Sequence, residues 1–255
     1  MTSLFDLTGK TAIVTGSSRG IGRAIAEEFS AHGARVVITS RDAGNCEVVA
    51  QAIRDAGGEA IAIACNVGHE EQQRQLVEQT LAAWGRIDVL VCNAAANPYY
   101  GPFLDIPDAA YDKTMNVNLR SVMKLARLVV PDMQSRRDGS IIVTSSNGAL
   151  RGSNELGTYN LSKIADVMLV KNLCVAYGKD NIRANAILPG LVKTDFARLL
   201  WEDQDMLNET LARTPLGRIA EPRDIAGIAV YLASAAGAWT SGQSFVIDGG
   251  SEAVE

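Results

Sequence analysis

A tyrosine and a lysine at helical spacing, Tyr159 and Lys163, are the residues of this sequence best suited to carry out chemistry. In an α-helix, side chains at positions i and i+4 lie on one face, one turn apart. A lysine ammonium at that distance stabilises the phenolate form of tyrosine, so the phenol can donate a proton near neutral pH. Reduction of a carbonyl group needs such an acid. Because these two residue types often fall at this spacing by chance, the residues around them decide whether the pair is catalytic.

Ser146 lies upstream of the pair and just after a run of β-branched and apolar residues at 140–144. If that run is a strand, the hydroxyl lies near its carboxyl end, where open α/β sheets bind their ligands. A hydroxyl there can donate a hydrogen bond to a carbonyl oxygen as negative charge develops on it. The order of strand, Ser146 and Tyr159 therefore favours a catalytic role for the pair.

Short apolar runs that alternate with amphipathic stretches predict the elements that position these residues. Strands of this kind form a parallel sheet that is covered by helices on both faces. We therefore expect residues 1–255 to form a single α/β domain, a doubly wound Rossmann-type fold with a mainly parallel seven-stranded sheet. The expected strands are residues 10–15, 35–39, 60–64, 87–92, 140–144, 183–188 and 245–247.

A glycine-rich turn follows the first expected strand and precedes a helix. Glycine at these positions permits a tight turn, a close approach of the backbone to a pyrophosphate, and close helix packing. The N–H groups of the helix N-terminus then face the negatively charged ligand. The turn predicts a dinucleotide site that comprises Gly16, Ser18, Arg19, Gly20, Ile21 and Gly22.

Two arginines near the end of the second expected strand indicate which dinucleotide binds. An acidic side chain there would bind the ribose 2′-hydroxyl of NAD and repel the 2′-phosphate of NADP. This chain has Ser40 followed by Arg41, and Arg19 projects from the glycine-rich turn. Guanidinium groups suit a phosphate dianion, so we predict NADP as the cofactor. The alternative is that both arginines are solvated and Asp42 binds the ribose of NAD.

The chain resembles the short-chain dehydrogenase/reductase family over nearly its whole length. The resemblance rests on five features in the family's order: T-G-x-x-x-G-x-G at 15–22, N-A at 93–94, the serine at 146, Y-x-x-x-K at 159–163 and P-G-x-x-x-T at 189–194. The resemblance implies that Ser146, Tyr159 and Lys163 form a catalytic triad, in which the last two also contact the cofactor. It further implies that Asn118 supports a proton-relay water. Asn116 is the nearby rival for that role.

The resemblance also implies further cofactor contacts. Asn66 stands where the family usually has aspartate beside the adenine, and Ala95 stands where it has glycine. The remaining implied contacts are Val67 near the adenine, Asn93 and Ala94 after the fourth strand, and Pro189, Gly190, Val192 and Thr194 at the nicotinamide. For the run 189–194, the alternative to a nicotinamide site is an ordinary turn with Thr194 as a helix N-cap.

Residues 195–213 mix apolar and charged side chains between the nicotinamide turn and the next helix. We expect this segment to form a lid that closes over a hydrophobic substrate, although a static amphipathic helix would show the same pattern. The expected substrate contacts are Tyr99, Tyr100, Phe196 and Leu200. The surrounding loops are similar to a carbonyl-reductase branch of the family that acts on aromatic ketones, α-dicarbonyls and retinoids.

Composition excludes several classes of function. The formal net charge of −5 argues against nucleic acid as a partner, and no apolar run reaches membrane-spanning length. Four scattered cysteines and two histidines predict neither a disulfide framework nor a metal site. We expect a cytoplasmic protein with a small-molecule substrate and no membrane partner. The resemblance implies a homotetramer.

These features favour an NADP-dependent oxidoreductase that interconverts a secondary alcohol and a ketone or aldehyde, with reduction of a medium-sized apolar carbonyl as its reaction. One enzymatic alternative is a 3-oxoacyl-thioester reductase, which needs a basic patch for its carrier and is poorly supported by an acidic chain. NAD-dependent alcohol oxidation is another. A cofactor-binding scaffold or redox sensor is the non-enzymatic alternative, but such a protein is expected to have lost one of the four polar catalytic groups, and all four are present.

Overall fold

Seven parallel strands form one sheet. The computed structural model describes residues 3–254, and in it the strands are β1 Thr11–Thr15, β2 Arg35–Thr39, β3 Glu59–Ala62, β4 Val89–Cys92, β5 Gly139–Thr144, β6 Ile182–Pro189 and β7 Ser244–Ile247. Their order in the sheet is β3-β2-β1-β4-β5-β6-β7, and each neighbouring pair is parallel. The predicted doubly wound sheet is confirmed.

Helices lie between the strands. They are α1 Gly20–Ala31, α2 Ala43–Asp55, α3 Glu70–Trp84, α4 Asp108–Met115, α5 Ser121–Arg136, α6 Gly157–Tyr177, α7 Arg198–Glu202, α8 Gln204–Ala212 and α9 Pro222–Ala233. A π-helical turn, Asn116–Arg120, joins α4 to α5. Within residues 3–254, no helix is both long and apolar enough to cross a membrane.

The sheet is buried on both faces, and its central strands are mostly apolar. Every residue of β1 and β5 is buried. Helices α1, α2 and α9 pack on one face, and α3, α5 and α6 pack on the other. Phe29 on α1 and Met133 on α5 are among the largest fully buried side chains of these two cores. Burial on both faces explains why the strands read as continuous apolar runs rather than as alternating patterns.

The strand order reverses at β1, which has β2 on one side and β4 on the other. The loops that follow β1 and β4 therefore diverge and leave a crevice at the carboxyl ends of the strands. Thr15, the last residue of β1, ties the two ends together. Its hydroxyl accepts hydrogen bonds from the N–H groups of Asn93 (2.9 Å) and Ala94 (3.1 Å), and it donates one to the carbonyl of Val91 (3.2 Å).

Candidate active site

A cleft of about 2270 Å³ opens at this reversal of strand order. It is lined by the loops that follow the strands and by the segment 195–213, so the structure brings most of the predicted site residues together. Those that line the cleft are Gly16, Ser18, Arg19, Gly20, Ile21, Ser40, Arg41, Asn66, Val67, Asn93, Ala94, Tyr100, Ser146, Tyr159, Lys163, Pro189, Gly190, Val192, Thr194, Phe196 and Leu200.

The glycine-rich turn has the geometry that its residues predict. Gly16 and Gly20 adopt φ values of +66° and +58°, a region that disfavours other residues. Gly22 does not line the cleft; it lets α1 pack against the turn, because a Cβ there would lie 2.4 Å from the carbonyl oxygen of Gly16. The Asn93 amide donates to that same oxygen at 3.3 Å and to the carbonyl of Thr15 at 3.0 Å. The turn is therefore closely packed and held by hydrogen bonds.

The N-terminus of α1 fits a pyrophosphate. In the described chain its first turn has no acidic side chain, and Arg19, at the N-cap, makes no side-chain hydrogen bond to the helix. The N–H groups of the first turn thus have no side-chain acceptor there, and Gly20 and Ile21 of that turn line the cleft, as an anion site requires.

The residues expected around the adenosine differ in their contacts within the protein. The Asp42 carboxylate accepts the N–H of Asn45 at 2.9 Å and caps α2, whereas Arg41 is exposed at the cleft. The Arg19 guanidinium contacts the carboxylate of Asp195, at the start of the segment 195–213, at 3.1 Å. The Asn66 side chain accepts the N–H of Gly68 at 3.1 Å, so its oxygen stabilises the loop after β3.

The loop after β6 lies at the other end of the cleft. A Cβ on Gly190 would lie 2.7 Å from that of Asp248, so this turn also needs glycine. The Thr194 hydroxyl accepts the N–H of Ala197 at 3.4 Å and donates to the carbonyl of Val192 at 3.3 Å. Thr194 is therefore the N-cap of the short helix Asp195–Ala197, and because it also lines the cleft, its contact with the nicotinamide stays a prediction.

Tyr159 and Lys163 project from α6 on one face, as their spacing predicts. The Lys163 Nζ lies 5.7 Å from the centre of the Tyr159 ring and donates to the carbonyl of Thr144 at 2.9 Å. Ser146 lies beyond the end of β5, where its hydroxyl accepts the N–H of Gly148 at 3.1 Å. The three side chains line the same cleft, which is the arrangement that protonation of a carbonyl oxygen requires.

Asp166, one turn further along α6, is a site residue that the sequence reasoning missed. Its carboxylate is fully buried and lies 3.1 Å from the Lys163 Nζ. Burial lowers the pKa of Lys163, but the charges of Asp166 and Tyr159 outweigh it and raise that pKa overall. Lys163 is therefore a buried ammonium. The helical spacing from Tyr159 to Lys163 and on to Asp166, i, i+4 and i+7, was the available signal.

The proton-relay role implied for Asn118 stays a prediction, and the structure shows which groups its side chain contacts. Its side chain is buried and does not line the cleft, because its amide is used within the protein. It donates to the carbonyl of Ala96 (3.0 Å) and the hydroxyl of Ser162 (2.9 Å), and it accepts the N–H of Ala96 (2.8 Å). The rival, Asn116, lines the cleft and donates to the carbonyl of Gly68 at 3.1 Å. The Asn118 side chain thus connects the loop after β4 to α6 rather than reaching a ligand.

Three of the four residues predicted to contact the substrate line the cleft. The Phe196 ring centre lies 6.0 Å from that of Tyr159, and Leu200 and Tyr100 also line the cleft. Tyr99 does not: its hydroxyl donates to the carbonyl of Pro102 at 3.0 Å, which holds the ring within its own loop. The cleft has further side chains that the sequence reasoning did not single out, namely Arg151, Glu155, Leu156, Leu199, Met206 and Arg213.

Residues 16–252 match a family model described as enoyl-(acyl carrier protein) reductase. The rabbit (Oryctolagus cuniculus) protein dehydrogenase/reductase SDR family member 4 is 37% identical over 244 residues, which are 96% of this chain and 94% of that protein. Its human (Homo sapiens) counterpart is 36% identical over 250 residues, 98% of this chain and 90% of that protein. The chain belongs to the short-chain dehydrogenase/reductase family. It is therefore an oxidoreductase that acts on alcohol or carbonyl groups.

Solved structures of the short-chain dehydrogenase/reductase family resemble this one over nearly its whole length. A 7α-hydroxysteroid dehydrogenase in complex with NADH and 7-oxo glycochenodeoxycholic acid has a TM-score of 0.94 and is 34% identical, with 97% of this chain and 96% of that chain covered. A gluconate 5-dehydrogenase from Burkholderia cenocepacia in complex with NADP and tartrate has a TM-score of 0.95 and is 32% identical, with 99% and 98% covered.

Replacement of Gly22 by alanine should weaken binding of the nicotinamide cofactor. The added methyl group clashes with the Gly16 carbonyl and must open the turn, and overpacking of this kind costs about 1–3 kcal/mol, or about tenfold in affinity. Fluorescence titration with NADPH and with NADH measures the effect. Gly227→Ala on α9 is the matched control, because a Cβ there meets open space. Equal affinity in the two variants would contradict the assigned role of Gly22.

Proposed function

We propose that this short-chain dehydrogenase/reductase is an NADP-dependent carbonyl reductase that interconverts a ketone or aldehyde of medium size and its alcohol. The observation that carries the proposal is the placement of Tyr159, which lies in the cleft between Lys163 on its own helix and Phe196 of the segment 195–213. An apolar carbonyl compound bound against Phe196 has its oxygen within reach of a phenol that is placed to donate a proton.

In the proposed reaction, bound NADPH supplies hydride to the carbonyl carbon. The Tyr159 hydroxyl donates its proton to the carbonyl oxygen, and the Lys163 ammonium stabilises the phenolate that remains. The Ser146 hydroxyl donates a hydrogen bond to the same oxygen and orients it. Asn118 supports proton resupply indirectly, since its amide holds the loop after β4 and Ser162 of α6 in place.

The choice of NADP is supported by this chain's own residues. Arg41 is exposed at the cleft beside Ser40, whereas the carboxylate of the next residue, Asp42, caps α2. Arg19 lies on the glycine-rich turn, and a 2′-phosphate can take the place of its ion pair with Asp195. The solved relatives hold either NADH or NADP, so residues at these positions rather than the fold set the preference.

A largely apolar substrate is supported by the wall of the cleft opposite the strands. Phe196, Leu199, Leu200 and Met206 all come from the segment 195–213, which comprises a one-turn helix, α7 and α8. We propose that this segment is a lid. Its first turn is held by the Trp201 indole, which donates to the carbonyl of Thr194 at 2.9 Å. The ligand of one solved relative, 7-oxo glycochenodeoxycholic acid, is a ketone on a steroid ring system, part of which is apolar.

A carrier-bound thioester is less well supported. The matching family model is named for reduction of acyl groups on a carrier protein, which is itself a macromolecular partner. Docking of an acidic carrier requires a basic surface, and a chain with a formal net charge of −5 is not favoured for it. A small free carbonyl compound therefore remains the proposed substrate.

We also propose a homotetramer in a reducing, cytoplasmic compartment. Helices α4 to α6 expose apolar side chains, and a second apolar surface lies beside the edge strand β7. Two separate self-complementary surfaces generate a closed tetramer with two kinds of two-fold axis. The exposed apolar residues are Tyr111, Met123, Leu161, Ile164, Met168 and Val175 on the first surface, and Trp239 and Val246 on the second.

The proposed compartment is supported by the four cysteines, which are all free, as is usual in a reducing environment.

Tyr159→Phe tests the proton donor. The variant keeps the ring but has no proton to donate, so kcat/KM for NADPH-dependent reduction should fall at least about 100-fold. The assay follows NADPH absorbance against a panel of aromatic ketones, α-dicarbonyls and aldehydes. Tyr177→Phe, which removes a hydroxyl from the last residue of α6, is the control. If the wild type and Tyr159→Phe reduce every compound at one rate, the proposed mechanism is wrong.

Arg41→Ala tests the cofactor assignment. Loss of a charge-assisted contact to the 2′-phosphate costs about 1.5–3 kcal/mol, so kcat/KM for NADPH should fall about tenfold or more while that for NADH changes little. Steady-state kinetics with both cofactors give the ratio. Arg74→Ala, on the surface of α3, should leave it unchanged. Equal losses with the two cofactors would contradict the assignment to NADP.

Light scattering tests the tetramer, which has a mass of four times 27.1 kDa. A double variant, Ile164→Glu with Met168→Glu, places two charges on the exposed stripe of α6 and should give smaller assemblies. Val48→Glu, at an exposed position on α2, should leave the mass unchanged. A monomeric wild type would contradict the proposal.

A further inference from the structure

Asp166 is the innermost member of a stripe of three polar side chains on α6. Tyr159, Lys163 and Asp166 follow one another at i, i+4 and i+7, so they lie along one face of the helix. Tyr159 is at the cleft, Lys163 is almost fully buried, and Asp166 is completely buried. The stripe therefore runs from the reacting end of the cleft into the core, where the valines Val167 and Val170 are its helical neighbours.

The three N–H bonds of the Lys163 ammonium have two partners on the protein side. One proton goes to the carbonyl of Thr144, at 2.9 Å, and one to the Asp166 Oδ2, at 3.1 Å. An ammonium has three donors, so one remains for the side of the cleft, where the Tyr159 ring lies. These contacts fix both the position of the nitrogen and the direction of its third N–H bond.

The titratable groups around this stripe come from two elements, α6 and β4. On α6 they belong to Lys163, Asp166 and, when it has lost its proton, Tyr159. Cys92, at the end of β4, is the thiol that faces the ion pair, and burial raises its pKa, so it stays neutral. Burial also raises the pKa of Asp166, and the Lys163 charge opposes that shift. The nearest counter-charge to the ammonium is thus the Asp166 carboxylate.

We propose that Asp166 is a positioning residue that holds the Lys163 ammonium and partly cancels its field at Tyr159, so that the ammonium stabilises the phenolate formed during carbonyl reduction without removing the proton before the substrate binds. The proposal rests on the proposed function of Tyr159 as the proton donor. An ammonium without a counter-charge favours the phenolate most strongly. With a carboxylate behind it, the ammonium still stabilises the phenolate that forms during the reaction but does not remove the proton beforehand.

A purely structural role explains this ion pair less well than the positioning role does. Replacement of a buried ion pair by apolar residues of similar volume is often neutral or stabilising, so packing alone does not require charge at this position. The Asp166 Oδ1 accepts no hydrogen bond from any residue in the described chain. The contact that uses the carboxylate is the one to Lys163, which links it to the tyrosine.

Asp166→Asn separates charge from shape. The amide oxygen of asparagine still accepts the Lys163 N–H but carries no charge. For the variant, kcat/KM is measured against pH for NADPH-dependent reduction and for NADP⁺-dependent oxidation of the same pair of compounds. The fall of the reduction rate at high pH and the rise of the oxidation rate should both move to lower pH by about one unit. The reduction rate at its acidic plateau should be retained.

Two controls accompany the variant. Asp166→Glu keeps the charge and should leave both midpoints closer to those of the wild type than Asp166→Asn does. Asp55→Asn removes an exposed carboxylate from α2 and should move neither. Circular dichroism and NADPH titration establish that each variant is folded, and Asp166→Ser replaces Asp166→Asn if the latter does not fold.

The outcomes are distinct. Midpoints that stay in place or move to higher pH in a folded variant overturn the proposal, and so does failure of both neutral variants to fold, because the residue is then structural. A wild type whose turnover does not depend on Tyr159 overturns the proposed function instead, before Asp166 is tested.

Discussion

Parallel pairing of β1 with β4 is the constraint on which the rest of the molecule depends. In a parallel sheet every strand ends at the same edge, so residues far apart in the sequence meet there. Thr15 reinforces this pairing through its hydrogen bonds to Asn93 and Ala94. The glycine-rich turn, the loop after β4 and the catalytic helix take their positions from that junction. The cleft exists because the strand order reverses at it.

Most of the fold and much of the site could be predicted from the sequence because both depend on local patterns. Apolar runs identify buried strands, and residues that follow a strand lie at the cleft wherever the chain turns next. Gly16 and Gly20 need their residue type for reasons of backbone geometry alone, which a sequence shows directly. The same logic placed Ser146, Tyr159 and Lys163 together correctly.

What could not be predicted depends on where a polar side chain finds its partner. Tyr99 and Tyr100 are adjacent and similar, but the carbonyl of Pro102 holds the first within its loop. The amide of Asn118 is satisfied by a loop and a helix that meet only in the folded chain. The i+7 spacing from Tyr159 places Asp166 on the same face of α6, but the burial of its carboxylate against Lys163 depends on how α6 packs on the sheet. Such residues are determined by tertiary contacts, which residue types and spacing do not contain.

The π-helical turn at 116–120 also sets the phase of the helices around it. Its i→i+5 hydrogen bond, from the N–H of Ser121 to the carbonyl of Asn116, accommodates one residue more than an α-helical turn. An added residue rotates everything downstream by about 100° about the helix axis. The apolar stripe of α5 can thereby face the sheet while α4 packs against α6. Loss of a single residue here would turn the stripe away from the core, so packing on both sides fixes the length of this segment.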